Sequence, residues 1–458
     1  MPRNKNARSL LTIRGVNGTL RWKGHQIRAS WSIRVDAYGT TTIKFRPIRL
    51  TNDTAWLLQM TRATGRFVTW AKISGADSEG RRVTSEHVFI GSTGWRGTFV
   101  RIEAESSLTR VEWLPVPKTS RGLRVRYVTS GMKGFGVQTA RTRSGELHLA
   151  GSAEIADYSR LAGRIDITSP PTRRDLRRWM ASCDDVVDRV LRWISLAEGR
   201  AIGWSIRHLI RGDNRIIVTE IYRPTRSSDP HDGVGHFLDL QPWIDMAVKR
   251  GASTVEKNAG LDVAIHWFLF HPTYLEFQLL AATTALEHLV SRFEKAHGGA
   301  KVGNPRTFRA LRNALEPFFQ RTTRNGRATS RSRELLLTKM KTAISRSNDA
   351  PYVQRLLRML KGYEVSIDGL ESHIRAAISS RNLVVHSGRF REGDDAHGTL
   401  HLHVQVLREL LKRVFLTLIG YTGYYESMLN GPHRMPFPPT ATTAIARDGT
   451  LAAQQDDA

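Results

Sequence analysis

The sequence predicts a multidomain α+β protein: a β-rich domain over residues 1–170, a small mixed α/β unit over 171–260, an all-α helical bundle over 262–430 and a disordered tail over 431–458. Three observations carry this reading. Apolar and polar residues alternate with period two in the first part, apolar residues recur every three or four positions beyond 262, and Ser169-Pro170-Pro171-Thr172 interrupts the chain between them. With 458 residues, 40% of them hydrophobic and 8% aromatic, the chain has apolar surface for several cores, so disorder throughout and a fibrous repeat are excluded.

In the N-terminal part, Ile27, Ala29, Trp31, Ile33 and Val35 alternate with Arg28, Ser30, Ser32, Arg34 and Asp36, the pattern of a strand with one buried face. Short runs at 42–48, 98–103, 109–114 and 123–129 follow, separated by breaks rich in Gly, Ser, Pro and Asp, which together read as a sandwich or barrel. Val187, Val190, Leu191 and Ile194 then predict a helix over 185–196. The flanks of Gly212-Asp213-Asn214 alternate as a β-hairpin packed on that helix. In the bundle, Leu275, Leu279, Ala282, Leu286, Leu289 and Phe293 form one stripe of a long helix. Shorter helices are expected over 306–320, 331–346, 351–362 and 366–386, then a long apolar one over 400–428. Pro, Thr and Ala without periodicity mark 431–458 as the tail.

Lys and Arg number 69 against 42 Asp and Glu, a formal charge of +27, and the excess is uneven. Arg306, Arg309, Arg312, Arg321 and Arg324 open a basic stretch, 306–346, whose only acidic residues are Glu316 and Glu334. Clustered guanidinium groups displace counterions from a phosphate backbone and can stack on bases, which points to a polyanion such as a nucleic acid as partner. A solvated basic face is the alternative. Cys183 is the single cysteine, so an intrachain disulfide framework and a Cys-rich zinc module are both excluded. Residues 1–11 are basic without an apolar signal core, and no window approaches a membrane span, so the expectation is a cytoplasmic protein that does not cross a membrane.

Chemistry concentrates at Arg381-Asn382-Leu383-Val384-Val385-His386, which ends a predicted helix. An arginine five positions before a histidine is common in a chain this rich in arginine, so the spacing alone says little. The pairs Arg82/His87, Arg143/His148 and Arg226/His231 lie in β or loop context. In Arg292/His297 the residue after the arginine, Phe293, belongs to the core stripe. At the last pair, Asn382 and His386 stand four residues apart on one helical face, and Arg381 is long enough to reach it.

This segment, near the end of a helical bundle whose first long helix contains Ala285-Leu286-Glu287-His288-Leu289, resembles the HEPN superfamily of nucleic-acid-associated helical domains, and especially its Apea-like branch. The resemblance covers roughly 262–430. A β-rich region ahead of such a bundle is similar to the layout of Apea-like proteins, on architecture alone. The resemblance implies a metal-independent ribonuclease, often a homodimer in which two copies of the motif face each other. His386 has the side chain for moving protons near neutral pH, Arg381 a permanent cation for a crowded phosphorane, and Asn382 can orient the imidazole or bind phosphate. Glu287, just off the apolar stripe, can hold Arg381 or His386 in place, or be an ordinary surface carboxylate. An antiviral or toxin-like effector follows, with the N-terminal domain sensing an unknown trigger. The other reading is a noncatalytic helical module that dimerises or binds nucleic acid.

No cofactor or metal is expected. His397 and His401 would share a helical face, with His403, Asp394 and Asp395 nearby in sequence, but 392–398 reads as a loop and no distant ligand set accompanies them. Lys133-Gly134-Phe135-Gly136 has no strand and helix around it to make a phosphate loop, and Trp22, Trp31, Trp179, Trp193 and Trp204 read as core anchors.

Overall fold

The computed structural model describes residues 10–22, 24–64, 67–96, 99–132, 136–151, 160–170, 175–222, 233–235, 240–249, 258–299, 301–325, 331–332, 334–336, 338–339, 350–388, 390, 396–429 and 431–438. The chain forms two compact units, 1–251 and 252–458, the first rich in β-structure and the second helical.

The first unit begins with strands β1 (Leu11–Trp22), β2 (His25–Val35) and β3 (Thr41–Pro47), then helix α1 (Asn52–Thr64), then β4 (Phe67–Ala76), β5 (Arg82–Arg96) and β6 (Phe99–Glu112). These six strands are antiparallel neighbours in the order β3-β2-β1-β4-β5-β6, and pairing of Thr42–Phe45 with Ile102–Glu105 closes them into a barrel. Its interior is the alternate set that the period-two pattern marks, including Ile27, Ala29, Trp31 and Ile33. The Trp31 indole lies across the irregularity in β1: a Cβ added at Gly15 or Gly18 would stand 2.3 Å from the ring, so only glycine admits it there. Helix α1, which the strand pattern conceals, starts where the Thr51 hydroxyl accepts from the Thr54 amide at 3.3 Å. His25 fixes it to the barrel, stacked on Trp56 with centroids 4.6 Å apart and bonded to Asp53 at 2.8 Å.

β6 is 14 residues long and pairs with β5 along one edge and with two further strands along the other. Beyond its contact with β3, residues 108–112 pair with β12 (Ile216–Tyr222). The sheet continues through β11 (Gly203–Arg211), β7 (Leu123–Ser130), β10 (Leu161–Thr168), β9 (Gly145–Ala150) and β8 (Gln138–Thr142). The hairpin β11–β12 thus forms around the turn the sequence indicates, but it is inserted between β6 and β7, in one sheet with the N-terminal strands. Alternation reveals a strand and its faces; it does not reveal a partner strand about a hundred residues away.

Helix α2 (Leu176–Glu198), longer than its apolar spacing marks, covers one face of this part of the sheet. Asp175 caps it by accepting from the Arg178 amide at 3.0 Å, and Gly199, with φ 66°, ends it. Between helix and sheet lies a buried polar network. Glu220 receives Arg110 at 2.7 Å and the guanidinium of Arg207, which also meets Asp184, and the Tyr127 hydroxyl donates to Asp184 at 2.7 Å. Helix α3 (Gln241–Lys249) packs beside α2.

On the opposite face, His208 is half-buried. Burial, with Arg126 adding to it and Asp166 opposing, pushes its pKa down to about 4. The folded state therefore keeps His208 neutral while the unfolded chain binds a proton near pH 6.5, so stability is lost as pH falls from 6.5 towards 4. This single group contributes up to about 3 kcal/mol over that window. Urea midpoints of the wild type and of His208→Gln, which cannot titrate there, are expected to lie close together at neutral pH and to part as pH falls towards 4, with the wild type losing more stability.

The second unit contains α4 (Leu261–Leu269), α5 (Leu275–His297), α6 (Pro305–Asn325), α7 (Tyr352–Gly362), α8 (Glu371–Ser387) and α9 (Ala396–Ile419), followed by β13 (Gly423–Ser427) and β14 (His433–Phe437). α5 packs on α4, α7, α8 and α9, burying the predicted stripe from Leu279 to Phe293. Much of the helix expected over 331–346 lies outside the described residues. The last long helix ends at Ile419, earlier than its apolar run implies, because Tyr421–Tyr425 turns back into a hairpin. Its second strand falls where the composition reads as tail: Phe437 is buried edge-on against Tyr425, 5.7 Å between centroids. Residues 439–458 lie outside the described residues.

α9 also buries charge. Arg413 donates to Glu409 at 3.1 Å and to the Asp368 carbonyl at 2.8 Å, Lys412 to the Glu426 carbonyl at 2.9 Å, and the Tyr425 hydroxyl to Glu409 at 2.5 Å. Arg408 lies over the Phe268 ring and donates to its carbonyl at 3.0 Å. These bonds tie α9 to α4, to the segment before α8 and to the terminal hairpin. Among the described residues, no helix is long and apolar enough to cross a membrane.

Candidate active site

α8 is held in the bundle by Ile374, Ala377, Ile378 and Val384, all buried, and it stops where Gly388 adopts φ 76° and its amide donates back to the Val384 carbonyl at 2.9 Å. Ser380, also buried, bonds His403 of α9 at 2.8 Å, which fixes the rotation of the helix. The next residue, Arg381, therefore turns towards α5. Its Nη2 donates to Glu287 Oε1 at 2.6 Å and its Nη1 to Asn382 Oδ1 at 3.2 Å. The structure thus brings together Arg381, Asn382 and Glu287. The arginine side chain is 27% exposed, and its Nε is buried with no hydrogen-bond partner among the described residues.

Asn382 and His386 are exposed, one turn apart on the same face of α8. His386 makes no hydrogen bond or ion pair with any described residue, so its imidazole is free to meet a ligand. What the arrangement offers is a clamped cation, an amide beside it and an accessible imidazole within a turn. That combination can neutralise an anionic centre and move a proton next to it.

Two further residues, not singled out by the sequence, border this site. Glu294 stands seven residues after Glu287 on α5, and it accepts from Arg355 Nη1 at 2.9 Å, so one face of α5 receives two guanidinium groups. Tyr352, at the start of α7, has a buried hydroxyl with no hydrogen-bond partner among the described residues. Burial pushes its pKa up, Glu287 adds to the shift, and Arg381 and Arg355 oppose it. The hydroxyl is therefore a protonated donor at neutral pH. An aromatic residue opening an amphipathic helix carries no sequence signal that separates it from ordinary core. Because an unpaired buried hydroxyl is costly, Tyr352→Phe is expected to stabilise the helical unit by about 1 kcal/mol, read as a raised urea midpoint.

The rival pair is absorbed by the fold. Arg292 donates to the Asn258 carbonyl at 2.9 Å, while His297 stacks on Phe293 with centroids 4.3 Å apart and bonds the Phe293 carbonyl at 3.0 Å. In the basic stretch, Arg306, Arg309 and Arg321 are exposed on α6. Arg312 and Arg324 fall on the same helix, with side chains outside the described residues. His401 meets Gln405 at 2.9 Å and His403 is committed to Ser380, whereas Asp394 and Asp395 lie outside the described residues. Among the described residues, no three His, Cys, Asp or Glu side chains are grouped as a metal site. Lys133, Gly134 and Phe135 are outside the described residues. Trp22, Trp31, Trp179 and Trp193 are buried, and Trp204 donates to Asp188 at 2.8 Å between the rings of Tyr127 and Tyr222.

No protein-family profile, no curated protein and no solved structure matches this chain.

Proposed function

We propose that the helical unit is a HEPN-like domain that cleaves RNA without a metal ion, by attack of the 2′-hydroxyl on the adjacent phosphate. The observation that carries the reading is the constellation on α8: Arg381 clamped by Glu287 and bonded to Asn382, with His386 exposed and unengaged one turn on. In the reaction, the 2′-oxygen forms a bond to phosphorus while the bond to the 5′-oxygen breaks. A base takes the 2′-proton, an acid gives one to the leaving 5′-oxygen, and the products are a 2′,3′-cyclic phosphate and a 5′-hydroxyl. Arg381 is the fixed cation for the phosphorane. Two copies of the motif facing each other across a two-fold axis supply two His386 imidazoles, one for each proton. The arginines of α6 provide the backbone attraction that holds the strand.

A noncatalytic module that dimerises or binds nucleic acid is the second reading. It is favoured by the Arg381–Glu287 pair in itself, since such a pair also ties α8 to α5 in a purely structural role. An accessible His386 favours the enzyme. The proposal extends to an antiviral or toxin-like effector whose N-terminal unit answers a trigger and restrains cleavage.

The paired site makes association testable. Two copies of Arg381 and His386 repel each other without a bound anion, so RNA is expected to strengthen dimerisation. Sedimentation at tens of micromolar should give a dimer, tighter with RNA. A strict monomer in both conditions would remove the paired geometry.

A further inference from the structure

A second site lies wholly within the N-terminal unit and owes nothing to the helical one. Alternation along β7 sends Tyr127 to the α2 side of the sheet and Arg124, Arg126 and Val128 to the other. On that other face, cross-strand register sets Asp166 and His208 beside Arg126, Arg164 beside Val128 and Ile210 beside Arg124. With Asn214 and Ile216 they line a concavity of about 550 Å³, within the range of small-molecule sites.

Its charge is not balanced from within. Asp166 is the one carboxylate in the lining and is taken up by Arg126, in a two-pronged contact at 2.7 and 3.0 Å. That contact fixes the Arg126 guanidinium on Asp166. Arg124 is steadied by Asn214 at 2.8 Å, yet its Nε is buried with no hydrogen-bond partner among the described residues. Arg164 is exposed and makes no hydrogen bond or ion pair with any described residue. Two guanidinium groups therefore face the concavity with donors to spare. Beside them Val128, Ile210 and Ile216 give an apolar wall, of which Ile216 is 36% exposed. His208 bonds Thr219 at 3.0 Å and contributes a neutral ring edge at physiological pH.

Guanidinium groups match phosphate oxygens two at a time, and flat apolar surface next to them matches a planar ring. We propose that this concavity binds a phosphate-bearing small molecule of mononucleotide size, with Arg124 and Arg164 on the phosphate and the Val128, Ile210 and Ile216 wall against the base. Inorganic phosphate alone would satisfy the arginines and leave the wall wet, and a concavity of this volume has room for one nucleotide unit.

The test is calorimetric titration of the full chain with each of the four ribonucleoside 5′-monophosphates, with inorganic phosphate and with a short single-stranded RNA. At least one mononucleotide is expected to bind saturably and more tightly than inorganic phosphate. Arg164→Gln, at an exposed position that leaves the fold intact, is expected to weaken it about tenfold or more. Arg124→Gln should do the same, and Ile216→Glu should weaken the mononucleotide more than inorganic phosphate. Circular dichroism and the urea midpoint check that each variant is folded. The proposal is overturned if no mononucleotide binds at millimolar concentration, if folded Arg164→Gln and Arg124→Gln bind as the wild type does, if inorganic phosphate binds as tightly as the best mononucleotide, or if only the RNA binds. His386→Ala is expected to leave this binding unchanged.

Discussion

Glu409→Ala is expected to destabilise the helical unit by about 3–5 kcal/mol, because it removes one partner of a buried ion pair and leaves the other charged. Glu409 and Arg413 have side chains 1% and 3% exposed, so water does not replace the lost carboxylate. Arg413 retains the Asp368 carbonyl at 2.8 Å, which solvates the guanidinium in part, but the Tyr425 hydroxyl loses its acceptor at 2.5 Å as well. Glu409→Gln keeps an acceptor oxygen in place and is expected to cost less than the alanine variant. Urea unfolding followed at the helical circular dichroism band measures both. A Glu409→Ala change under about 1 kcal/mol would mean that the charges rearrange into water and that α9 is held by its apolar contacts alone.

His386→Ala is expected to lower RNA cleavage by about 10²- to 10⁴-fold, the usual worth of a positioned proton-transfer group, while leaving RNA affinity close to that of the wild type. The separation follows from position. His386 is exposed and bonded to no described residue, so its loss disturbs neither the Arg381–Glu287 pair nor the packing of α8. On the proposed mechanism proton transfer belongs to the transition state, whereas ground-state affinity comes from the arginines. Arg381→Ala is therefore expected to impair binding and cleavage together. Replacing Arg306, Arg309 and Arg321 should weaken binding and flatten its salt dependence without altering the chemistry of the product ends. His297→Ala, in a pair the fold already uses, should change cleavage little.

The helical unit was the more legible half of the sequence, because its signals are local. Leu279, Ala282, Leu286, Leu289 and Phe293 repeat at helical spacing, and the helix they predict is the one around which the unit packs. Glu287 and Arg381 are 94 positions apart, yet each flanks an apolar stripe, and flanking residues of two packed helices are where ion pairs form. The barrel strands were legible singly. Closure through β3 and β6, and insertion of β11–β12 between β6 and β7, depend on pairings between distant segments that no local period encodes. Helix α1 was hidden for a related reason: one short helix set on a tryptophan and histidine stack shows no stripe long enough to read. Tyr352 and Arg355 meet the site through the packing of α7 on α5. Arg124 and Arg164 sit at alternate strand positions that read as a polar, solvated face, and only the register makes them neighbours of one concavity.

On the proposed function, the motif on α8 cleaves RNA with its own side chains. Sequencing the new ends formed when the purified chain is incubated with total RNA in EDTA, beside His386→Ala, tests it most directly. The wild type is expected to leave 2′,3′-cyclic phosphate and 5′-hydroxyl ends, and the variant none above background. Cleavage that stops with EDTA, or that persists in His386→Ala, would contradict it and leave the noncatalytic module as the function of this unit.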